Sequence, residues 1–435
     1  MYQRLKSLIT ASALLLNIGV TLGRQLLAAA VQLLIVVLIA RNLGPEGNGF
    51  YAMAILIPTM LANFLNLGIA PATIYFISQK QFSIKRAMIE NTKFALVIAS
   101  AGEAIALPVL FIWGEHLFPA IPLSLLFISL LAFPLILYAA FNAAILQGLQ
   151  DFRAFNASVL LPPIVSVIVV FITFYMLDMG IYGALTAYIL GQLAASMAVF
   201  IFLKRHVAKE GPINIDQDVD SATYYKAVIG YGSRAYLSNI LAFINYKVDL
   251  FLVNLFLTPA AVGIYAIAVQ IAEKLWMPSQ AVSTVLFPKL STMSEQPVAR
   301  LKLTNTAFLL VAAITTALSL LVVLMLHLFV TLIFGRAYLS IFPAFYWLLP
   351  GIVCWAGARI QSNCIAAWGK PEWNMYLSLV VLIINITGNI LLIPRYGIIG
   401  AAAATSIAYV LDAIVKVIIM THAKKSEMIK SQTHN

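Results

Sequence analysis

Acidic side chains are scarce in this chain. Its 435 residues hold 16 Asp and Glu against 27 Lys and Arg, and charged residues make up only 10% of the total, far below the roughly 25% of a soluble domain. That deficit excludes an ordinary water-exposed surface. Cysteine is nearly absent. Cys354 and Cys364 lie ten residues apart on one expected helix, about 15 Å along its axis, whereas a disulfide needs Cα atoms within about 7 Å; both are expected to be packing residues. No Gly-rich phosphate loop follows a strand, and no His, Cys and carboxylate cluster has metal-ligand spacing. Catalytic machinery and a cofactor are therefore not expected.

What fills the chain is apolar. Hydrophobic residues are 62% of it and mean hydropathy is +0.96, the signature of a membrane protein. A spanning helix takes about 20 mostly apolar residues. Twelve such stretches are present, at about 12–39, 51–74, 88–112, 118–146, 155–176, 180–203, 227–255, 261–288, 303–333, 340–366, 374–393 and 397–420. The net charge of +11 is not a nucleic-acid footprint, because most of the cations fall in the two termini and alternate loops, among them Lys80, Lys85, Arg86, Lys204, Arg205, Lys209, Lys424 and Lys425, while the opposite loops hold Arg41, Arg336 and Arg395. By the positive-inside rule both termini are cytoplasmic. Arg4 and Lys6 precede an apolar run too long for a secretory signal and without a clear cleavage site, so it reads as a retained first helix.

The chain is written twice. Residues 42–55, NLGPEGNGFYAMAI, return as 256–269, FLTPAAVGIYAIAV, and later glycines follow at nearly the same offset: Gly114 and Gly148 with Gly335 and Gly369, Gly180 and Gly183 with Gly397 and Gly400. Six helices per copy return the chain to its starting side, so the copies share one orientation and relate by an axis along the membrane normal. The expected architecture is all-α and integral to the membrane: twelve transmembrane helices in two six-helix pseudo-symmetric lobes around a central cleft. The lobes would be residues 1–210 and 227–435. The polar stretch between them, 211–226, reads as a cytoplasmic linker; its Asp216, Asp218 and Asp220 have the spacing of a metal-binding carboxylate set but no surrounding α/β domain to use it.

Charge inside the spans costs roughly 2.5–3.5 kcal/mol per residue on insertion scales, so such residues should face the interior. In the seventh span Arg234, Ser238, Asn245 and Asp249 share one face at the helical period, and in the eighth Gln270, Glu273, Gln280 and Thr284 do so with Lys274 beside them. The first span carries Arg24, Gln25 and Gln32. One reading pairs these groups with each other, Arg234 or Lys274 with Asp249 or Glu273, as structural ion pairs. The other lines an aqueous cavity with Arg24, Gln32, Arg234, Asn245, Gln270 and Lys274, where the planar fork of Arg suits a phosphate, and leaves Asp249 and Glu273 to exchange a coupling ion. His327, alone in the ninth span, reads as a proton relay or a hydrogen-bonded packing residue.

The segments ARNLGPEGNGFYAMA, KVDLFLVNLFLTPAAVGIYAIA, VLFPKLS, LIFGRAY, AAWGKPEWN and NITGNILLIPRYGIIGAAAATSIAYVL, in that order and spacing, resemble the Wzx-type polysaccharide biosynthesis flippases of the multidrug, oligosaccharidyl-lipid and polysaccharide exporter superfamily. The resemblance implies a bacterial inner-membrane protein that turns an undecaprenyl-diphosphate-linked oligosaccharide towards the outer leaflet for O-antigen or a related polysaccharide, with a polymerase and a chain-length regulator as partners beside membrane lipids. It implies no nucleic acid and no enzyme. Within the superfamily the alternatives are a cation-coupled drug or metabolite antiporter, disfavoured because the first span offers Arg24 and no acid and Glu103 is the only carboxylate deep in the first copy, and a peptidoglycan-precursor flippase, which resembles longer chains. A membrane glycosyltransferase or polymerase, from another class, would need carboxylates in a long outer loop, and the outer loops are short.

Overall fold

The computed structural model describes residues 2–210, 220–293 and 296–433; side chains before Gly23, at 24–26, 233–235, 238–239, 288 and 371, and beyond 423 lie outside the description. Every regular element there is helical: α1 Tyr2–Phe64, α2 Ile69–Ser78, α3 Ile84–Leu117, α4 Leu123–Leu130, α5 Ala132–Gly148, α6 Phe152–Tyr175, α7 Gly180–Lys209, α8 Ser221–Phe256, α9 Pro259–Lys274, α10 Met277–Ser291, α11 Pro297–Ile333, α12 Ile341–Ala367 and α13 Pro371–Thr433, with a short 3-10 turn at Arg336–Tyr338. Nine helices among the described residues are long and apolar enough to cross a membrane. Their outward faces keep large apolar side chains exposed, Phe111 at 79% and Leu320 at 66%, a surface that only hydrocarbon can cover without cost. The chain is an all-α, multi-pass membrane protein.

Helical periodicity located the elements but not their interruptions. The stretch expected as one helix over 51–74 breaks at 65–68, where Leu67 and Gly68 take φ of 51° and 73°. The stretch over 261–288 breaks at Leu275 and Trp276; Pro278 follows, and its missing N–H cannot bond back to the carbonyl of Lys274. The long runs α1 and α13 are each two helices joined at a glycine with positive φ, Gly44 at 67° and Gly397 at 59°. Gly397 repeats Gly180, which opens α7 at φ 52°. A residue with a Cβ would be strained at either place, so the sequence echo marks a shared hairpin tip.

The chain forms two compact units. In the unit of residues 34–264, α2, α3, α5, α7 and α8 bury Ile69, Phe133, Phe141, Ile145, Val199, Leu203 and Tyr224 in one core. The other unit, residues 1–33 with 265–435, packs Leu286, Leu290, Val311, Ile360, Cys364 and Met420 between α10, α11, α12 and α13. It also buries polar groups: Asp412 and Lys416 pair at 2.6 Å one helical turn apart, and Asn389 donates to both the backbone and side-chain oxygens of Asn385.

Candidate functional site

The 34–264 unit has two distinct ends. At one, Asn42 bonds the Tyr175 hydroxyl at 3.2 Å, Ser124 and Tyr182 hydroxyls meet at 3.4 Å, and Asn254 Nδ2 donates to the carbonyl of Leu117 at 3.0 Å. Here the two copies of the repeated motif touch. Pro45 and Pro259 each begin a helical run after a break, as suits a residue with no N–H to offer. A side chain at Gly49 would overlap the carbonyl oxygen of Pro259, and one at Gly263 would overlap that of Pro45. Asn48, buried, donates to the Gly263 carbonyl at 2.8 Å. Residue i meets j while the mate of i meets the mate of j, the reciprocal pattern of a two-fold joint.

The opposite end is polar and basic. Glu90, at 0% exposure, accepts from the Tyr225 hydroxyl at 2.6 Å, the Ser221 hydroxyl at 3.1 Å and Lys93 Nζ at 3.2 Å, with Arg86 Nε at 3.4 Å. Its neighbour Asn91 accepts from Tyr224 at 2.8 Å and donates to the Phe141 carbonyl at 2.9 Å. Glu210 takes the free amides of Ile84 and Lys85 at 2.7 and 3.1 Å, satisfying donors that a helix start leaves open. Both flanks of the stretch 211–219 are thus fastened to the first turns of α3. Tyr75 and Tyr231 stack at 4.6 Å nearby. Asp220 caps α8 through Thr223, whose hydroxyl is the first cause holding this carboxyl below its usual range. Asp151 caps α6 through Ala154, the main reason its pKa is lowered, and also pairs with His206 at 2.9 Å.

The residues singled out by sequence fall in both units. In the 34–264 unit Asn245 and Asp249 are buried at 6% and 3% exposure on one face of α8, and Asp249 Oδ1 accepts from the Leu250 amide. In the other unit Lys274 Nζ donates to Gln32 Oε1 at 3.0 Å, joining two of the predicted residues 242 positions apart; Gln270 and Glu273 are half-buried and Lys274 is exposed. The side chains of Arg24 and Arg234 lie outside the described residues, as do Ser238, Asp216 and Asp218. His327 is occupied by packing contacts: Nε2 meets the Tyr346 hydroxyl at 2.9 Å, Nδ1 the Val323 carbonyl at 3.1 Å, and its ring lies 4.3 Å from that of Phe342. No group of three metal-ligating side chains stands together among the described residues. Sequence reasoning passed over Glu90, whose hydroxyl partners Ser221 and Tyr225 come from more than 130 positions away, and over Asp412, though its spacing of four from Lys416 was a readable signal.

The model of the polysaccharide biosynthesis protein family matches residues 14–294. The chain belongs to that family. Among curated relatives, a putative O-antigen transporter of Shigella flexneri is 24% identical over 86% of this chain and 90% of its own length, and a probable low-salt glycan biosynthesis flippase of Haloferax volcanii is 23% identical over 43% of this chain and 40% of its own. Among solved structures, the lipid II flippase MurJ in an inward closed conformation superimposes with a TM-score of 0.73 over 93% of this chain and 90% of that one, at 16% identity. An inward-facing MATE multidrug transporter gives 0.71 over 92% and 96%, also at 16%. At that identity the likeness is one of fold, shared by a flippase and a multidrug transporter alike. The family member described here is a membrane transporter and not an enzyme.

Proposed function

We propose that this chain is a flippase that carries an undecaprenyl-diphosphate-linked oligosaccharide from the cytoplasmic to the outer leaflet of a bacterial inner membrane, by alternating access of its two six-helix repeats, for surface polysaccharide such as O-antigen. The family membership carries the reading, and the relatives' names and the fold agree with it. Physics supplies the need: a glycan headgroup dragged through hydrocarbon leaves many polar groups unsatisfied at several kcal/mol each, and a polar path inside the protein removes that barrier. In this reading Arg24, Gln32, Arg234, Asn245, Gln270 and Lys274 hold the anionic headgroup. A polymerase and a chain-length regulator then take up the product.

Proteoliposomes containing a fluorescent undecaprenyl-diphosphate-linked oligosaccharide test the proposal. Protein-dependent loss of the probe fraction protected from an outside quencher is expected; expulsion of a cationic dye without lipid flipping would support an antiporter instead. Arg24→Ala and Arg234→Ala are each expected to abolish flipping while the amount of folded protein stays constant, with Lys rescuing only in part because it lacks the paired donors. Parallel loss of folded protein would assign both to structural ion pairs. A reporter after residue 210 should read cytoplasmic and one near Glu115 periplasmic.

Directional movement in this reading draws on a gradient. One elementary charge crossing 100 mV releases about 2.3 kcal/mol, enough to bias a two-state equilibrium more than tenfold. Asp249 and Glu273 are the acids assigned to proton exchange, so flipping should slow when the proton gradient is dissipated and Asp249→Asn should remove that dependence. Gradient-independent flipping by the native protein would reject the coupling.

A further inference from the structure

At the basic end of the 34–264 unit, between the start of α6 and the end of α7, lies a cavity of about 460 Å³ lined by Asp151, Arg153, Ala154, Ala157, Phe202, Arg205, His206 and Lys209. The volume is within the range of about 300–1,000 Å³ typical of small-molecule sites. Its charge is one-sided. Asp151, the single acid in the lining, is already engaged by the Ala154 amide and by His206, and the adjacent Glu210 is held by the amides of Ile84 and Lys85. Arg153, Arg205 and Lys209 therefore leave a net positive rim over an apolar floor of buried Ala154 and half-buried Phe202. The guanidinium of Arg205 sits 5.8 Å from the Phe202 ring centre, at the edge between rim and floor.

A soluble anion would use the rim and gain nothing from the floor. Leading away from the cavity, Ile164 and Ile168 continue the Ala157 face of α6 at the helical period, and Ile201 lies one turn before Arg205 on α7; they are exposed at 41%, 54% and 45%. Rim, floor and adjoining apolar flank follow one another as phosphate, glycerol and acyl chain do in a phospholipid. We infer that this cavity is a binding site for an anionic phospholipid of the leaflet facing the basic end, with Arg153, Arg205 and Lys209 on the phosphate and the acyl chains along α6 and α7. The inference is independent of the transported substrate. Each Lys or Arg near an anionic surface contributes about 1 kcal/mol, so losing three corresponds to roughly a hundredfold weaker binding.

Native mass spectrometry of the purified full chain, titrated with phosphatidylglycerol, phosphatidylcholine or inorganic phosphate, tests it. The native chain is expected to prefer phosphatidylglycerol over phosphatidylcholine at least tenfold. The combined Arg153→Gln, Arg205→Gln and Lys209→Gln variant should lose that preference, and the combined Lys289→Gln, Lys302→Gln and Lys370→Gln variant, with equal loss of charge elsewhere, should keep it. An unchanged preference in the first variant overturns the site. Equal loss in both variants assigns the effect to net charge and also overturns it, and displacement of the lipid by millimolar inorganic phosphate rejects a lipid in favour of a soluble anion. If the triple variant fails to elute as a folded protein, the single changes decide: Arg205→Lys should retain the preference and Arg205→Gln weaken it several-fold, and indistinguishable binding by the two would overturn the proposal.

Discussion

The two ends of the 34–264 unit are held by different forces. At one end the chain's two motif copies meet backbone to backbone, Gly49 against Pro259 and Gly263 against Pro45, with a buried side-chain bond from Asn48. At the other, α8 is fastened to α3 by hydroxyl, amide and carboxylate groups gathered on Glu90 and Asn91. Backbone packing is lost outright when surfaces separate, because van der Waals attraction fades within an ångström. Hydrogen bonds of this kind exchange with water at a net cost of about 0.5–1.5 kcal/mol each. A helix that must let one end open while the other stays shut would be built in this way, which fits the alternating access proposed above.

The comparison can be broken most severely at the close-packed end. Gly49→Ala and Gly263→Ala each push a methyl into a backbone carbonyl, so each should destabilise by about 3 kcal/mol or more, at or above the usual range for overpacking, read as loss of monodisperse protein or a large fall in melting temperature. The reciprocal contact also predicts that the two losses are similar. A severe effect at one glycine and none at the other would contradict the two-fold joint.

A smaller loss is expected at the polar end. Glu90→Ala removes the acceptor shared by Tyr225, Ser221, Lys93 and Arg86. Because the lysine side chain is 57% exposed, water compensates part of the loss, and about 2 kcal/mol is expected, below the 3–5 kcal/mol of a fully buried pair. Tyr225→Phe should cost about 1 kcal/mol. Amide exchange over 221–231 should quicken in both variants while that over 259–263 stays unchanged. Faster exchange at both ends would show the ends to be one cooperative unit.

The smallest effect concerns acid. Asp151 is held below its usual pKa chiefly by the Ala154 amide and then by His206. A carboxylate lowered on folding stabilises the folded state at pH above its unfolded value of about 3.9, and that contribution is lost as pH falls through the lowered folded value. The side chain is 31% exposed, so the effect should stay under about 1 kcal/mol. Asp151→Asn should accordingly flatten the dependence of melting temperature on pH below 4, and an unchanged acid limb would remove Asp151 from it.

Much of this was legible in the residues. Hydropathy marked a helical, membrane-spanning chain, and the echo of Gly180 in Gly397 returned as two positive-φ hairpin tips. The polar stripes were legible only in part. Asn245 and Asp249 share a buried face of α8 as their spacing required, but nothing local indicated that Lys274 would reach Gln32. Glu90 went unnoticed beside Arg86 and Lys93 because, in sequence, a carboxylate flanked by cations one turn away looks like a solvated helix face.

The sequence by itself determined that the chain lives in a bilayer, that it is helical and that it is duplicated, because each depends on quantities summed along the chain: apolar content, period and offset. Tertiary structure alone decided that the two copies of the Leu-x-Pro motif touch each other, that both flanks of the 211–219 stretch close on α3, and that Arg153, Arg205 and Lys209 surround one cavity. Those depend on which helices lie side by side. In a chain whose helix surfaces are nearly all apolar, pattern cannot distinguish a lipid-facing side from a protein-facing one, and neighbours are chosen by close packing and by scattered polar bonds that appear only when residues far apart in sequence meet.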